Sequence, residues 1–375
     1  MRPHRRALLA GAMALTMLAA AGCAAQTQTP QSKIYVICKS MDPYWDTTKA
    51  GANEAGEEMA LDVTYIAPQS EDELDRQIQM IDEALADGAQ ALVIAPLDTD
   101  ALNDTLARAV DAGVPVLTID SDVSFEGRST CISTQNLSAG AIAARAAANF
   151  VDGSGEVGII CHKANAQTAI ERKGGFVDEI EGSSQKADTP KNDPPKNDVP
   201  DDVPSDVPGD TPDGEAPAVP EAPAAPAEET QSSGYPGMKI VETKYCEGNI
   251  ELSKAGTIQL LSEHPDLKVI YATNQPGTVG ACQAIDELGR ADDITLVGFD
   301  YFDGADAYIQ SGVLDAVIAQ NPYNMGYLGV RYAKRLIDGE TVAASVDTGA
   351  TLITADNLQD ADIRWLVDPT GKAGK

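Results

Sequence analysis

The chain has 375 residues, a length that suffices for one large or two ordinary domains. Its formal net charge of −31 argues against nucleic-acid phosphates and anionic lipid headgroups as partners, because like charges repel. The same charge fits a highly soluble protein whose ligand is neutral or cationic.

The N-terminus has the pattern of a secretory signal peptide. An apolar run over residues 7–21 follows three arginines and is too short to cross a bilayer comfortably. The run ends in Ala20-Ala21-Gly22-Cys23, which resembles a bacterial lipobox, except that leucine is usual where Ala20 stands. We therefore expect a signal peptide over 1–22 and lipid modification of Cys23, which holds the protein at the membrane through a polar tether, residues 23–32. The alternative is an ordinary signal cleaved at Ala-x-Ala, with Cys23 incidental.

The first element after the tether ends at a pair of aromatic residues. The run Ile34-Tyr35-Val36-Ile37 is typical of a buried parallel strand, and Pro43 breaks it. Asp42 is placed to cap the following helix, with Pro43 at its first position. Tyr44 and Trp45 then lie at the carboxyl end of the first strand, the side on which open α/β sheets bind ligands. The pair predicts a ring-stacking platform; the alternative is that both rings pack beneath the loop.

Strand and helix patterns alternate along the rest of the chain. Periodicity predicts further strands at 61–66, 91–95, 114–119, 130–133, 156–161, 239–243, 267–272, 294–299 and 314–319. It predicts helices at 72–87, 101–112, 139–151, 168–181, 251–264, 277–288, 303–311 and 325–338. This alternation implies parallel sheets with right-handed crossovers. About a dozen strands exceed one comfortable sheet, so we expect an α/β protein of two doubly wound, Rossmann-like lobes.

One segment interrupts the alternation. Residues 182–234 contain 11 of the 22 prolines and 12 acidic residues against three lysines, with almost no large apolar side chain. Such a composition does not bury enough surface to offset the entropy of ordering. We interpret 182–234 as a disordered, polyproline-like insert within the second lobe. It is either a neutral surface insertion or a contact for the cell wall or a docking partner.

The cysteines outside the lipobox are Cys38, Cys131, Cys161, Cys246 and Cys282. They have no Cys-x-x-Cys or histidine spacing, so we predict no metal site. Most lie on apolar elements and resemble small core residues. Cys161 and Cys246 end consecutive predicted strands, which leaves one disulfide open.

Seven short motifs occur in an order and spacing that resemble the type I periplasmic sugar-binding proteins of ABC transporters, near the ribose-binding branch. The resemblance covers residues 33–368 apart from the insert. The motifs are Asp42-Pro43-Tyr44-Trp45, Ala95-Pro96-Leu97-Asp98, Thr118-Ile119-Asp120, Glu171-Arg172-x-x-Gly175-Phe176, Ala272-Thr273-Asn274 before Val279-Gly280-Ala281, Val297-Gly298-Phe299-Asp300, and Ile318-Ala319-Gln320-Asn321-Pro322.

The resemblance implies a monomeric two-lobed binder with no catalysis and no cofactor, closing about a three-segment hinge over a small sugar. It implies a first lobe of residues 33–135 and 321–347, and a second of 136–320 and 348–368. The partner would be an ABC permease, and the location extracytoplasmic, with the lipid anchor on the outer face of the membrane.

The resemblance also implies which side chains touch the ligand. Tyr44 and Trp45 would stack on a sugar ring, while strand-end and helix-start polar groups would hold its hydroxyls. Carboxylates accept hydrogen bonds, arginine donates in a fork, and amides do both, which suits hydroxyl groups. The full expected ligand-binding set is Lys39, Asp42, Tyr44, Trp45, Asp120, Ser121, Arg172, Asn274, Asp300 and Gln320. The alternative makes the aspartates helix caps and Arg172 a surface ion pair.

Two departures from the family pattern bear on the ligand. Ser121 stands where the branch often has arginine, so a bidentate donor is missing, and Lys39 could supply a different donor. An aromatic residue expected within 247–250 is also missing. These changes make ribose itself a doubtful ligand and favour a larger or differently substituted one.

Three other functions were weighed. A receptor that presents a sugar-like signal to a chemoreceptor or sensor kinase would use the same cleft. A repressor of the lactose type would need an N-terminal helix-turn-helix, where this chain has a signal peptide. An enzyme is disfavoured because Cys161 and His162 lack a visible Asn or Asp orienter, and there is no phosphate-binding Gly-x-x-x-x-Gly-Lys.

Overall fold

The computed structural model describes residues 31–42, 44–183, 234–369 and 371. The expected signal peptide, lipid-modified Cys23, nearly all of the tether, Pro43 as first helical residue and most of the insert lie outside these residues. Among the described residues, no helix is long and apolar enough to cross a membrane.

Strands and helices alternate along most of the described chain. The strands are β1 (Lys33–Ile37), β2 (Asp62–Ile66), β3 (Ala91–Ile94), β4 (Val116–Ile119), β5 (Thr130–Ser133), β6 (Ser154–Cys161), β7 (Gly237–Tyr245), β8 (Leu267–Ala272), β9 (Thr295–Phe299), β10 (Ala316–Ala319), β11 (Ser345–Asp347) and β12 (Thr351–Thr354). The helices are α1 (Tyr44–Glu58), α2 (Leu74–Ala86), α3 (Asn103–Asp111), α4 (Asn136–Phe150), α5 (Gln167–Glu181), α6 (Ile250–Glu263), α7 (Gln275–Leu288), α8 (Ala305–Ser311), α9 (Pro322–Ile337) and α10 (Ala361–Val367).

Two six-stranded sheets with matching strand orders form two lobes. The order is β11-β5-β4-β3-β1-β2 in lobe 1 and β12-β10-β9-β8-β6-β7 in lobe 2. Every pairing is parallel except that of β10 with β12. The predicted architecture of two doubly wound parallel-sheet lobes is therefore confirmed. Because the orders match, β4 in lobe 1 is the topological equivalent of β9 in lobe 2.

Each sheet is buried on both faces by helices, so its central strands are almost wholly apolar. In β3, β4 and β10 all four residues are buried. Separate apolar cores lie on the two faces of each sheet. These cores fix where the strands end, and the polar residues that follow the strand ends stand at the rim of each lobe.

The chain passes between the lobes at three places. It crosses from β5 to α4, from β10 to α9, and from β11 to β12. The first and third crossings are hydrogen-bonded to each other, since the Thr134 hydroxyl donates to the Gly349 carbonyl at 3.2 Å and the Thr348 amide to the Ser133 carbonyl at 3.0 Å. The three crossings are short, and two of them are tied together.

Several predicted boundaries need correction. The predicted helices at 139–151 and 325–338 begin three residues earlier, at Asn136 and Pro322. In α9 the Asn321 side chain caps the helix and proline occupies the first turn, where it costs no hydrogen bond. The elements β11, β12 and α10 were not predicted, because each is short and mostly exposed or half-buried, so its sequence lacks the apolar run or stripe of a buried element.

All five described cysteines are free and buried, so the disulfide left open between Cys161 and Cys246 is absent. The reason is strand register. Cys161 pairs with Tyr245 across β6 and β7, and the next residue therefore points to the opposite face of the sheet. Accordingly Cys161 and Cys246 pack into different apolar cores.

Candidate ligand-binding cleft

Polar side chains from both lobes meet between the carboxyl ends of the two sheets. Lys39, Tyr44 and Asp120 come from lobe 1, and Arg172 and Asp300 come from lobe 2. Gln320 lies in the crossing from β10 to α9. Together these six form what we call the cleft cluster: Lys39, Tyr44, Asp120, Arg172, Asp300 and Gln320. Four of them are at most 7% exposed, so the lobes are closed over polar groups that burial would otherwise penalise.

Asp120 and Asp300 occupy equivalent positions, directly after β4 and β9. Each donates its backbone amide to the neighbouring strand, to the carbonyls of Ile132 at 3.1 Å and Ile318 at 2.8 Å. Each then adopts a left-handed conformation, with φ of 64° and 66°, which aspartate tolerates better than most residues. The two lobes therefore present matched carboxylates to the same cleft.

Asp120 is bound by a lysine from its own lobe. The Lys39 ammonium lies 2.6 Å from the Asp120 carboxylate and 2.5 Å from the Ser121 hydroxyl. Burial alone would raise the pKa of Asp120, but the charges of Lys39 and Arg172 and the hydrogen bonds from Lys39 and Ser121 hold it below the ordinary value. Asp120 is therefore ionised and acts as an acceptor.

Arg172 is fixed on three sides within lobe 2. Its Nε donates to Asn136 Oδ1 at 2.9 Å, and its Nη1 donates to the Thr273 carbonyl at 3.1 Å. The guanidinium carbon lies 3.9 Å from the ring centroid of Phe299, a cation–π geometry. Nη1 also lies 3.7 Å from the Asp300 carboxylate. The guanidinium is thus held rigidly, 3% exposed, at the cleft.

Asp300 and Gln320 join lobe 2 to the first helix of lobe 1. Gln320 Nε2 donates to Asp300 Oδ1 at 2.6 Å and to the Tyr44 hydroxyl at 3.1 Å. Burial raises the pKa of Asp300, and the charge of Arg172 and the bond from Gln320 offset this only in part. Burial also raises the pKa of Tyr44, with further contributions from Asp120 and Asp300, so its hydroxyl stays protonated.

His162 lies at the end of β6 between two threonine hydroxyls. Its Nδ1 is 2.9 Å from Thr273 Oγ1 and its Nε2 is 3.1 Å from Thr168 Oγ1. Burial lowers the pKa of His162 to about 3, helped by the charges of Arg172 and Lys39. The imidazole is therefore neutral near neutral pH and adds no charge to the cleft.

The other predicted residues lie at different depths. Trp45 is 4% exposed and packs in the core of lobe 1, with its ring edge-on to Tyr44 at 5.0 Å between centroids. Asn274 caps α7, its Oδ1 accepting from the Gly277 amide at 3.0 Å, which leaves its amide nitrogen for other partners. Asp42 is exposed, and its carboxylate accepts from the Ser40 hydroxyl at 2.5 Å.

Sequence reasoning missed the residues that position Arg172. Asn136 opens α4 immediately after a crossing, and Phe299 is the last residue of β9. Asn136 lies in none of the seven motifs, and its place at the start of a helix after a crossing was the available signal. Phe299 lies within the Val297-Gly298-Phe299-Asp300 motif, but an apolar residue that ends a buried strand is ordinary core, so its contact with Arg172 gave no signal.

One group elsewhere has metal-ligand residue types. Ligand atoms of Glu242, Glu263 and His264 lie within 4.8 Å of one another on the surface of lobe 2. The Lys244 ammonium already bonds both carboxylates, at 2.9 Å from Glu263, and His264 Nε2 is 2.9 Å from Glu242. The lysine thus supplies the positive charge that these acids require.

Comparison with known proteins agrees with this fold. A family model described as the periplasmic binding protein domain matches residues 34–204 and 221–341. The D-ribose/D-allose-binding protein of Pseudomonas aeruginosa is 24% identical over 346 residues, covering 88% of this chain and 92% of that protein. The ribose import binding protein of Bacillus subtilis is 24% identical over 318 residues, covering 84% of each.

Solved structures give the same result. A carbohydrate transporter solute-binding protein from Agrobacterium radiobacter, in complex with D-arabinose, aligns with a TM-score of 0.73 and 27% identity, covering 90% of this chain and 99% of that one. An ABC transporter solute-binding protein from Agrobacterium vitis with bound D-fucose aligns with a TM-score of 0.71 and 25% identity, covering 89% and 99%. The family match spans most of the chain, the relatives and structures are similar over nearly their full length, and the chain belongs to the periplasmic binding protein family.

Proposed function

We propose that this protein captures a small neutral sugar, or a sugar-like ligand, in the cleft between its lobes and delivers it to an ABC importer. The relatives that carry sugar-binding names support this role. The cleft cluster supports it chemically, because it combines a carboxylate acceptor, a fork donor and an amide from both lobes.

The strongest structural support for this proposal is a buried acceptor atom, Gln320 Oε1. Gln320 is 5% exposed, and no described residue donates a hydrogen bond to its Oε1. Leaving a buried acceptor unpaired costs about 1–3 kcal/mol. A ligand hydroxyl that donates to Gln320 Oε1 would recover this free energy, and Gln320 stands where the two lobes meet.

The charges of the cleft cluster favour a neutral ligand. Lys39 and Arg172 contribute two positive charges, and Asp120 and Asp300 contribute two negative charges when ionised. Neutral His162 leaves this balance unchanged. A charged ligand would be buried beside groups that already compensate each other, at a desolvation cost that a polyol does not incur.

Among the described residues, few contacts between the lobes hold the closed state of the cleft. Gln320 reaches Tyr44 of lobe 1 and Asp300 of lobe 2, while the exposed ion pair of Lys163 with Asp72 spans the lobes at 3.9 Å. An exposed pair of this kind contributes about 1 kcal/mol or less. We infer that the free protein samples open states, and that a ligand with contacts to both lobes shifts the population towards closure.

We also propose that the protein acts outside the cytoplasm, held at the membrane by lipid on Cys23 after removal of residues 1–22. The pattern of the first 23 residues supports this proposal. Mass spectrometry of the membrane fraction should find the mature protein beginning at an acylated Cys23. Recovery of Cys23→Ala in the same fraction as the wild type would contradict the anchor.

Isothermal titration of the purified mature domain against pentoses, hexoses and polyols tests the function. We expect at least one sugar to bind with one-to-one stoichiometry, and charged sugar acids to bind more weakly than their neutral parents. Absence of heat across the panel, with circular dichroism showing folded protein, would overturn the sugar proposal.

A further inference from the structure

A cavity lies beside the cleft cluster and has Asp120 and Ser121 in its wall. Its volume is about 360 Å³, and both lobes contribute to its wall. Lobe 1 supplies the loops after β3 and β4 and the end of β5, and lobe 2 supplies the first turns of α4 and α5. Arg172, Asp300 and Gln320 are not among the residues that line it.

The cavity and the cleft cluster share their dividing wall. Asp120 and Ser121 line the cavity and bond the Lys39 ammonium. Thr168 also lines it and bonds His162. These three residues therefore border both the cavity and the cleft, and the smallest of them is Ser121. A substituent on a ligand bound at the cleft cluster has a short path past a serine into the cavity.

The lining is polar, and two of its three carboxylates are paired with a cation, Asp120 with Lys39 and Asp122 with Arg128. The third, Glu171, accepts a hydrogen bond from a neutral amide. The Asp122 carboxylate is 2.5 Å from the Arg128 guanidinium, and the Gln167 amide donates to Glu171 at 2.5 Å. The other polar groups are hydroxyls and amides, and none of the described residues that line the cavity is aromatic. Residues contributing such hydroxyls and amides are Thr99, Ser124, Ser133, Thr134 and Gln135. This surface suits a neutral group with many hydroxyls rather than an aromatic or anionic one.

The size fits one more sugar residue. A volume of about 360 Å³ at about 30 Å³ per water corresponds to about twelve waters. A hexose has a comparable number of non-hydrogen atoms. The cavity also falls at the lower end of the range of small-molecule sites, about 300–1,000 Å³.

Resting on the sugar-binding function proposed above, we propose that the preferred ligand is a disaccharide or glycoside. One sugar residue is held by the cleft cluster, and its neutral second residue enters the cavity beyond Ser121. Because α4, α5 and the loop after β4 all line the cavity, the second residue contacts both lobes and adds to the closed state.

Isothermal titration with matched sugars tests this. The probes are D-glucose with maltose, cellobiose and sucrose, D-galactose with lactose and melibiose, and D-xylose with xylobiose. For the monosaccharide that binds, we expect at least one of its disaccharides to bind at least tenfold tighter.

Gln167→Trp places a large ring in the cavity without touching the cleft cluster. It should abolish the disaccharide gain and leave the monosaccharide affinity within twofold. Gln259→Trp is the matched control, because Gln259 also bonds a glutamate four residues on, Glu263, but on an exposed face of α6 away from the cavity. If Gln167→Trp does not fold, Thr99→Trp fills the cavity from lobe 1 and carries the same test.

The outcomes separate this inference from the proposed function. Monosaccharide binding with no tighter binding of any disaccharide overturns the extended site and leaves the sugar-binding role standing. A disaccharide gain that survives both Gln167→Trp and Thr99→Trp overturns the location. Absence of binding by every probe overturns the sugar-binding role and the extended site together.

Discussion

Asp120 and Asp300 show how the same residue in the same strand position takes on different properties. Both are buried at a strand end with left-handed backbone. Lys39 bonds Asp120 directly at 2.6 Å and holds its pKa low, whereas Arg172 approaches Asp300 only to 3.7 Å and burial raises its pKa. Asp300 is therefore the carboxylate that first gains a proton on acidification.

This difference predicts the pH dependence of ligand binding. Affinity should fall with decreasing pH as Asp300 protonates, beginning above the ordinary aspartate value of about 3.9. His162, with a pKa of about 3, should contribute nothing between pH 5 and 8. Titrations from pH 8 to 4 check this, with Asp300→Asn expected to remove the first loss. A midpoint near 6.5 in both proteins would contradict the assignment.

Arg172→Ala should damage both folding and binding, because it leaves Asp300 buried without its cation. We expect about 3–5 kcal/mol less unfolding free energy in urea, the usual cost of breaking a buried ion pair. Ligand affinity should fall with it, by more than Ser121→Ala causes. Arg290→Ala is the control, since Arg290 pairs with Asp293 at 2.9 Å on the surface and should cost about 1 kcal/mol or less. Equal losses of unfolding free energy in Arg172→Ala and Arg290→Ala would mean that the ion pair of Arg172 with Asp300 contributes little to stability.

The aromatic pair separates into a core residue and a cleft residue. Trp45→Ala should lower the unfolding free energy by about 3–5 kcal/mol, because the ring is buried in the core of lobe 1. Tyr44→Phe should leave stability nearly unchanged and weaken ligand binding, because it removes the hydroxyl that Gln320 bonds. Thermal melts and titrations distinguish these effects. Full stability of Trp45→Ala with lost affinity would place the indole at the ligand instead.

At the residue scale, the sequence specifies which polar residues follow a strand, but it does not specify which side chains pack against each other. Strand ends follow from apolar runs, so Asp120 and Asp300 could each be placed at the carboxyl edge of its own sheet without coordinates. Whether Trp45 faces a ligand or a core depends on helix rotation, which a single turn with aromatic residues on adjacent positions does not specify. The contact of Arg172 with Phe299 joins residues far apart in the chain and has no local pattern.

At the scale of elements, close helix packing positions Arg172. A Cβ on Gly175 would lie 1.9 Å from the Leu137 carbonyl, and one on Gly140 would lie 2.2 Å from the Arg172 carbonyl. Helices α4 and α5 therefore approach so closely that only glycine fits at these points. Helices α1 and α9 of lobe 1 also pack closely at a glycine, since a Cβ on Gly51 would lie 2.1 Å from the Tyr323 carbonyl.

Two adjacent glycines of α5 make a matched pair. Gly175→Ala should push α5 away from α4, costing about 1–3 kcal/mol of stability and weakening ligand binding by displacing Arg172. Gly174→Ala meets only the end of the Leu137 side chain at 3.7 Å, so it should stabilise the helix by up to about 1 kcal/mol. Melting temperatures and affinities of the two variants check this. A Gly174→Ala variant as impaired as Gly175→Ala would rule out the close approach as the cause.

Buried apolar strands and striped helices could be predicted from the sequence, whereas β11, β12 and α10 could not. Apolar runs such as β3 and β5 and stripes such as α2 repeat often enough to identify. The three residues of β11 alternate exposed and half-buried, and they pair with β5 only because the second crossing, from β10 to α9, returns the chain to lobe 1. That pairing is a property of the whole fold.

At the scale of the molecule, the two sheets have matching strand orders, so Asp120 and Asp300 lie on opposite sides of one cleft. The two-lobe division was predictable from strand number and alternation. Closure was not, because it depends on contacts such as Gln320 with Tyr44, 276 residues apart. Asp347 links the first and third crossings of the hinge. Its Oδ1 accepts hydrogen bonds from the amides of Gln135 at 3.2 Å and Gly349 at 2.9 Å.

Hydrogen exchange of the mature domain, with and without a saturating sugar found in the titration panel, tests the central claim most directly. The account predicts slower exchange on both sides of the cleft at once, in peptides that end β4 at Asp120, begin α5 around Arg172 and end β9 at Asp300. Slower exchange in the peptide that contains Gln320 should accompany it. Protection confined to one lobe, or lying away from these four positions, would contradict capture of the ligand between closing lobes.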